Sequence, residues 1–313
     1  MADFLRVGMV AGEASGDLLA AHLISALKAR RRSIMFAGIG GPRMIAQGFD
    51  SHYPMEKLSV RGYAEVLRNY SEIMGIRRRL AKDMIGERPD LFIGVDSGDF
   101  NLGLERRLKD AGIPTIHYVS PSVWAWRGWR IKKISRSVNR ILVMFPFEQP
   151  LYEKAGVPVS YVGHPLADLI PQNPKKDEAR AQLRLPANKL IVALLPGSRR
   201  SELHYMASAF VLAAHRFRQE IHDVHFVCPT VTRATRDMFE MAVHQHQRTD
   251  LPLTLLFGHS HEALAAALLE LWRDKAARER QVARFHDFHH LLRQNTAHKA
   301  AEAVLGVLEG GHG

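Results

Sequence analysis

The stretch LIVALLPGSRRSEL, residues 190–203, decides how this chain reads. Leu190 to Ala193 is a short apolar run, the pattern of a strand buried on both faces. Pro196-Gly197 ends it, and Glu202-Leu203 opens a helical pattern. A buried strand that passes through a tight loop into a helix is half of a βαβ unit, and such units build parallel sheets covered by helices. The loop also carries chemistry. Gly197 lets a ligand approach the backbone. Ser198 and the planar forks of Arg199 and Arg200 suit phosphate oxygens. The free N–H groups of the helix start, with Glu202 in its first turn, point at the same spot. The plainer alternative is a turn with solvated charges.

Outward from this stretch the same alternation runs through most of the chain. Strands are expected at Leu5–Val10, Ile34–Gly38, Leu91–Val95, Thr115–Val119, Ile141–Met144 and Val159–Val162. Helices are expected near 17–29, 62–84, 101–110, 128–137 and 147–155. Residues 169–180, with two prolines and a charge cluster, break the rhythm and read as a linker. The pattern restarts with strands at 189–195, 224–228 and 252–256 and helices at 202–218 and 232–247. The fold class is therefore α/β, with two tandem Rossmann-like, doubly wound domains. Beyond Phe257 the chain turns helical to its end, so the second domain shows only three strands and reads as truncated.

Composition narrows the class. The 313 residues suit two domains, and 46% hydrophobic content can bury two cores. No apolar run reaches the roughly 20 residues of a membrane span, and MADFLRVGMV runs straight into a strand without a signal-peptide pattern. These features imply a cytoplasmic protein. The single cysteine, Cys228, excludes intrachain disulfides and cysteine zinc sites and reads as a buried thiol. The 17 histidines form no HExxH or comparable spacing, so no metal site is expected. A net charge of +11 suits nucleic acid, anionic lipid or a phosphorylated substrate. Without a zinc finger, an RNA-recognition signature or a basic tail, nucleic acid is not an expected partner.

Ligands of doubly wound sheets bind beyond the carboxyl ends of the strands, and several loops there carry candidates. In VAGEASGD (10–17), Gly12 and Gly16 permit a tight turn, Ser15 can cap and Asp17 suits a helix start. It is neither a Walker loop nor GxGxxG. Glu13 and Asp17 would repel phosphate, so Glu13, Ser15, Gly16 and Asp17 are better fitted to a sugar or acceptor hydroxyl. GIGGPRM (38–44) forms a wide loop in which Arg43 could meet an anion. GVDSGDFN (94–101) places Asp96 and Asp99 at a strand exit. Asp96 is the better general base, while Asp99 either orients it, binds a hydroxyl or caps the next helix. HYVSPSVWAWRGWR (117–130) offers Trp124, Trp126 and Trp129 for sugar or acyl contact and Arg127 and Arg130 for phosphate. His164 in YVGHPLAD (161–168) is a candidate ligand contact. In LSVRGYAEVLRNYSEIMGIRRRL (58–80), Tyr63, Val66, Leu67, Tyr70 and Met74 share one helical face, ringed by Arg61, Arg68, Arg77, Arg78 and Arg79. Such a face can lie on an anionic bilayer or be buried against a sheet.

Taken in order, VAGEASGD, GGPRM, GVDSGDFN, HYVSPSVWAWR, FPFE, VGHPLAD and LLPGSRRSE resemble the lipid-A-disaccharide synthases, glycosyltransferases of GT-B architecture. The similarity runs from about residue 5 to 260 and resumes in FHDFHHLLRQNTAHKAAEAVL. The resemblance implies transfer of 2,3-diacylglucosamine from UDP-2,3-diacylglucosamine to the 6-hydroxyl of 2,3-diacylglucosamine 1-phosphate, with UDP released and inversion at the anomeric carbon. Asp96 matches the family's essential aspartate and would be the base; Arg199 matches the arginine at the donor phosphates. It implies no cofactor and no metal. The expected partners are the two acylated sugars and, through Val66, Leu67, Tyr70 and Met74, the cytoplasmic face of the inner membrane. Pairing with a second copy of the chain is left open. The resemblance assigns 1–168 to acceptor and lipid, 169–180 to a linker, 181–280 to the UDP-sugar and 281–313 to a helical tail.

The sequence departs from the family after LFGHSHEALAAA. There the family continues with an SGT-x-x-LE donor segment, further strands and a PN-containing loop, whereas here EALAAAL leads directly into LLELWRDK. An internal deletion on the order of 50–80 residues, the size of several βα units, is expected. It sets a catalytically inactive lipid- or nucleotide-binding remnant beside the active transferase. A UDP-sugar epimerase on a related fold is a third reading, disfavoured by VSPSVWAW and the apolar, basic helix.

Overall fold

The computed structural model of the chain describes residues 4–31, 33–58, 63–121, 130–171, 175–198, 200–257 and 286–310. The chain divides into two compact units, Met1–Asp168 with His289–Gly313, and Leu169–Phe288.

In the first unit, the described residues form a seven-stranded sheet whose pairings are all parallel. Its strands are β1 (Leu5–Ala11), β2 (Ile34–Gly40), β3 (Asp50–Pro54), β4 (Leu91–Val95), β5 (Thr115–Tyr118), β6 (Arg140–Val143) and β7 (Val159–Tyr161). Their order is β3-β2-β1-β4-β5-β6-β7. The chain winds outward from β1 in one direction and from β4 in the other, so the topological switch point lies between β1 and β4. The central strands β1, β4 and β6 are largely buried runs rich in Val, Ile, Leu and Met, as a sheet covered on both faces requires. The helices here are α1 (Ala14–Arg30), α2 (Pro42–Ala46), α3 (Tyr63–Glu87), α4 (Gly98–Asp110), α5 (Arg130–Ser137), α6 (Gln149–Lys154) and α7 (Pro165–Leu169).

Two elements of this unit depart from the sequence reading. DSHYP forms the edge strand β3, paired to β2 across an irregularity between Gly38 and Ile39. GGPRM holds the short helix α2, with Pro42 in its first turn, where a loop was expected.

In the second unit, the described residues give α8 (Lys176–Gln182), α9 (Arg200–Glu220) and α10 (Arg233–Gln245). They cover a parallel sheet of β8 (Leu190–Ala193), β9 (Val224–Thr230) and β10 (Leu253–Phe257), in the order β10-β9-β8. Its core joins Leu203, Val211, Phe226, Cys228 and Phe239. Cys228 is the expected buried thiol, and burial pushes its pKa up to about 12. The EALAAAL junction lies outside the described residues.

The last helix, α11 (Thr296–Gly310), does not stand as a tail behind the second unit. Ala300, Ala301, Val304 and Leu308 are buried in the core that α1 shares with β1 and β2. Arg30 binds Glu302 at 2.7 Å across the α1–α11 seam. Asp168 caps α11 by accepting the N–H groups of Asn295 (3.0 Å) and Thr296 (2.7 Å).

Candidate active site

Of the sequence candidates in the first unit, Glu13, Ser15, Asp96 and Asp99 lie in the loops and first helical turns at the carboxyl ends of β1 and β4, beside the switch point. Glu13 is the N-cap residue of α1, so Ser15 is not the cap; it lies exposed in the first turn. Gly16 is buried against the Val95 carbonyl. A Cβ on Gly12 would fall 2.5 Å from Ser97 Oγ, which sets the β1–α1 loop directly against the β4–α4 loop. Asp17 is buried, and its carboxylate accepts the N–H groups of Gly41, Arg43 and Met44, each at 3.0 Å. It caps α2 and ties the GGPRM loop to α1 instead of facing a ligand.

Asp96 occupies a tightly held turn. Its N–H donates to the Tyr118 carbonyl at 2.8 Å, and its carbonyl accepts from Asn101 Nδ2 at 2.8 Å. The side chain is half-buried. Asp96 and Ser97 both have left-handed backbones, with φ of +53° and +45°, and Val119 across the crevice has φ of +82°. Left-handed geometry is uncommon outside glycine and a true outlier for a β-branched residue. Each costs about 1–3 kcal/mol and persists only where neighbours enforce it, a pattern concentrated at functional sites. Ser97, not Asp99, is the N-cap of α4. Asp99 lies in the first turn with an exposed carboxylate that binds Arg130 at 2.8 Å.

Val119 to Pro121 after β5 and the β6–α6 loop stand on one side. A Cβ on Gly98 would lie 3.2 Å from Pro121, so Pro121 abuts the Asp96 turn. Ser120 Oγ and Tyr152 Oη are 2.7 Å apart. Glu148 is buried and accepts the Phe145 N–H at 3.1 Å, and burial raises its carboxyl above the ordinary range. The His164 ring lies 5.9 Å from that of Phe145, and its Nδ1 accepts the Leu166 N–H at 3.2 Å. Trp124 and Arg127 lie outside the described residues, as do Trp126 and Trp129.

On the outer face of the same unit, a groove of about 740 Å³ runs between α3, α4 and α5. Arg77, Arg106, Arg107, Lys132, Lys133 and Arg136 line it. α3 begins at Tyr63, as the amphipathic pattern requires. Met74 is half-buried, and its sulfur receives an Arg77 N–H at 3.0 Å. The side chains of Val66, Leu67, Tyr70 and Arg68 lie outside the described residues, as does Arg61. No described helix is long and apolar enough to cross a membrane.

In the second unit, Gly197 has φ of +123°, and a Cβ there would fall 2.5 Å from Glu202 Cβ. Glu202 folds back from α9 and accepts the Ser198 N–H at 2.8 Å, so it braces the loop. Ser198 and Arg200 are exposed at the helix start; Arg199 lies outside the described residues.

Sequence reasoning missed the buried pair nearest Asp96. His117 on β5 and Glu105 on α4 are both fully buried, with Nδ1 and Oε1 2.7 Å apart. The available signal was a glutamate on the apolar face of α4, among Phe100, Leu104 and Leu108. Glu148 of FPFE is a second buried acid that the sequence pattern alone does not single out.

A sequence profile of the lipid-A-disaccharide synthetase family matches residues 7–273. The lipid-A-disaccharide synthase of Dechloromonas aromatica (strain RCB) is 57% identical over 272 residues, covering 87% of this chain and 71% of that protein. That of Paraburkholderia phymatum is 43% identical over 382 aligned positions, covering 99% and 98%. Among solved structures, the UDP-GlcNAc 2-epimerase of Neisseria meningitidis bound to UDP-GlcNAc gives a TM-score of 0.62 at 10% identity, covering 98% of this chain and 100% of that one. MnaA of S. aureus with UDP gives 0.61 at 10% identity, covering 96% and 95%. Likeness at such identity reflects the shared α/β, GT-B-like fold and does not make this chain an epimerase. The sequence relationship is of another order, and by it the chain belongs to the lipid-A-disaccharide synthase family of glycosyltransferases.

Proposed function

We propose that this chain transfers 2,3-diacylglucosamine from UDP-2,3-diacylglucosamine to the 6-hydroxyl of 2,3-diacylglucosamine 1-phosphate, releasing UDP, with Asp96 as the general base. The observation that carries the reading is the Asp96 turn, a strained carboxylate-bearing backbone clamped on both sides at the switch point of the seven-stranded sheet. The reaction needs a base for the acceptor hydroxyl and positive charge for the leaving diphosphate. Glu13, Ser15 and Asp99 stand at the same strand ends for the acceptor, with Trp124, Arg127 and His164 as further contacts. Gly197, Ser198, Arg199 and Arg200 offer backbone N–H groups and guanidinium forks to the diphosphate.

Docking on the cytoplasmic face of an anionic bilayer goes with this reading, since both substrates carry acyl chains. The six-cation groove beside α3 supports it. The alignment with the Paraburkholderia phymatum relative spans 382 positions against 313 residues here, so it contains gaps on this side. That supports an internal deletion, while the family relationship favours the transferase over an inactive remnant.

Purified full chain, supplied with both acylated sugars and assayed for UDP beside Asp96→Ala, tests the proposal. Release that requires both substrates and disappears in the variant is expected. Folded protein that binds lipid and releases no UDP would favour the remnant.

A further inference from the structure

The His117–Glu105 pair has no part in the reaction as read so far. His117 stands on β5 at the position paired with Gly94 of β4. Glu105 lies one turn beyond Asn101 on the buried face of α4. A Cβ at position 94 would lie 2.1 Å from Glu105 Oε1. Glycine there opens β4 so that the carboxyl group reaches His117 Nδ1 at 2.7 Å. Glu105 Oε2 and His117 Nε2 are buried with no hydrogen-bond partner among the described residues. Two well-packed apolar side chains would be at least as stable in such a place, so stability does not account for the pair.

Its position does. Tyr118, next to His117, accepts the Asp96 N–H at 2.8 Å, and Asn101, one turn before Glu105, holds the Asp96 carbonyl at 2.8 Å. The pair therefore underlies the Asp96 turn from both β5 and α4. Burial alone would lower the His117 pKa; the charge and hydrogen bond of Glu105, then the charge of Asp96 and the Val119 backbone, raise it above the ordinary value. Burial raises Glu105 against the pull of His117. Both directions keep a proton between the two side chains.

We propose that His117 and Glu105 are positioning residues for Asp96: the buried pair braces the β5 and α4 residues that hold the Asp96 turn and attracts its carboxylate, which stays aimed at the acceptor. The inference rests on the transferase reading for what Asp96 does with its charge. In that step the acceptor O–H bond breaks and its proton passes to Asp96. The oxygen's electron pair forms the glycosidic bond while the bond from the anomeric carbon to UDP breaks. His117 keeps its own proton throughout. The charged groups bearing on His117 are Glu105 and Asp96. Arg140 on β6 turns to Ser160, Lys109 on α4 to the carbonyls of Ser135 and Val138, and Arg77 on α3 to the Asp99 carbonyl. Arg130 on α5 binds Asp99, and Arg106, Arg107, Lys132, Lys133 and Arg136 line the outer groove.

The test follows the His117 ring by nitrogen NMR across pH in the full chain, in wild type, Asp96→Asn and Glu105→Gln. The imidazolium should persist to higher pH in wild type than in either variant. In parallel, kcat and KM for UDP release are measured. Glu105→Gln and His117→Gln should each lower kcat by roughly tenfold to a hundredfold, the effect of a misplaced catalytic group, with little change in KM. The double variant should be no worse than either single one. A packing role would lower Tm and leave kcat of the folded variants unchanged. Identical His117 titration in wild type and Asp96→Asn, or a wild-type kcat in folded Glu105→Gln, overturns the inference. Asp96→Asn leaves the buried pair intact, so the titration decides even if His117→Gln does not fold. Full UDP release by Asp96→Asn would instead remove the base assignment, which separates the two failures.

Discussion

His164 shows at the residue scale how a polar side chain beside a crevice can serve the fold. Its Nδ1 is tied to the Leu166 N–H at the start of α7, so that nitrogen carries no proton. Burial lowers its pKa below the ordinary 6.5, with the charge of Asp168 opposing. Between the folded value and 6.5 the unfolded chain binds a proton that the folded chain refuses. The stability due to this group is therefore complete above 6.5 and is lost as pH falls through the folded value. Urea midpoints measured from about pH 7.5 to about pH 5.5 should fall more steeply in wild type than in His164→Gln; equal slopes would dismiss the effect. Residues at strand exits were legible in the sequence because position alone marks them, as with Asp96. His117 and Glu105 were not, because their meeting depends on the β4–β5 register and on which face α4 buries.

At the scale of elements, the capping of α2 is the long-range device that organises the crevice. The acceptor for three of its N–H groups, Asp17, lies some 25 residues earlier in another helix. Asp17→Ala should cost about 1 kcal/mol, up to about 2 for a cap with several donors, and Asp17→Asn less, because one amide oxygen remains to accept. Equilibrium denaturation measures both, and an unchanged midpoint in Asp17→Ala would show the cap to be dispensable. The same device explains why α2 escaped the sequence reading: no local cap precedes GGPRM, only glycine and proline. β3 escaped for another reason. DSHYP is polar, half-exposed and ends in proline, as an edge strand tolerates. The strands that were legible, β1, β2 and β4 to β10, are apolar runs between turn signals, and burial within a parallel sheet demands that composition.

For the whole molecule, the charge of +11 is concentrated in part on one surface, the groove walled by α3, α4 and α5. Cations near an anionic bilayer contribute about 1 kcal/mol each and are screened by salt. Lys132→Glu, Lys133→Glu and Arg136→Glu together should weaken binding to phosphatidylglycerol vesicles by about a hundredfold or more, with little effect on phosphatidylcholine vesicles. Co-sedimentation at low and high salt measures it, and salt-independent binding to both lipids would remove the electrostatic account. The last helix bears on a different property. The apolar face of α1, residues 14–30, is completed by α11, residues 296–310. During synthesis the first unit must therefore wait, with that face open, until α11 has left the ribosome. Its folding is bound to follow synthesis of the second unit, and the nascent chain is a natural client for chaperones until α11 arrives.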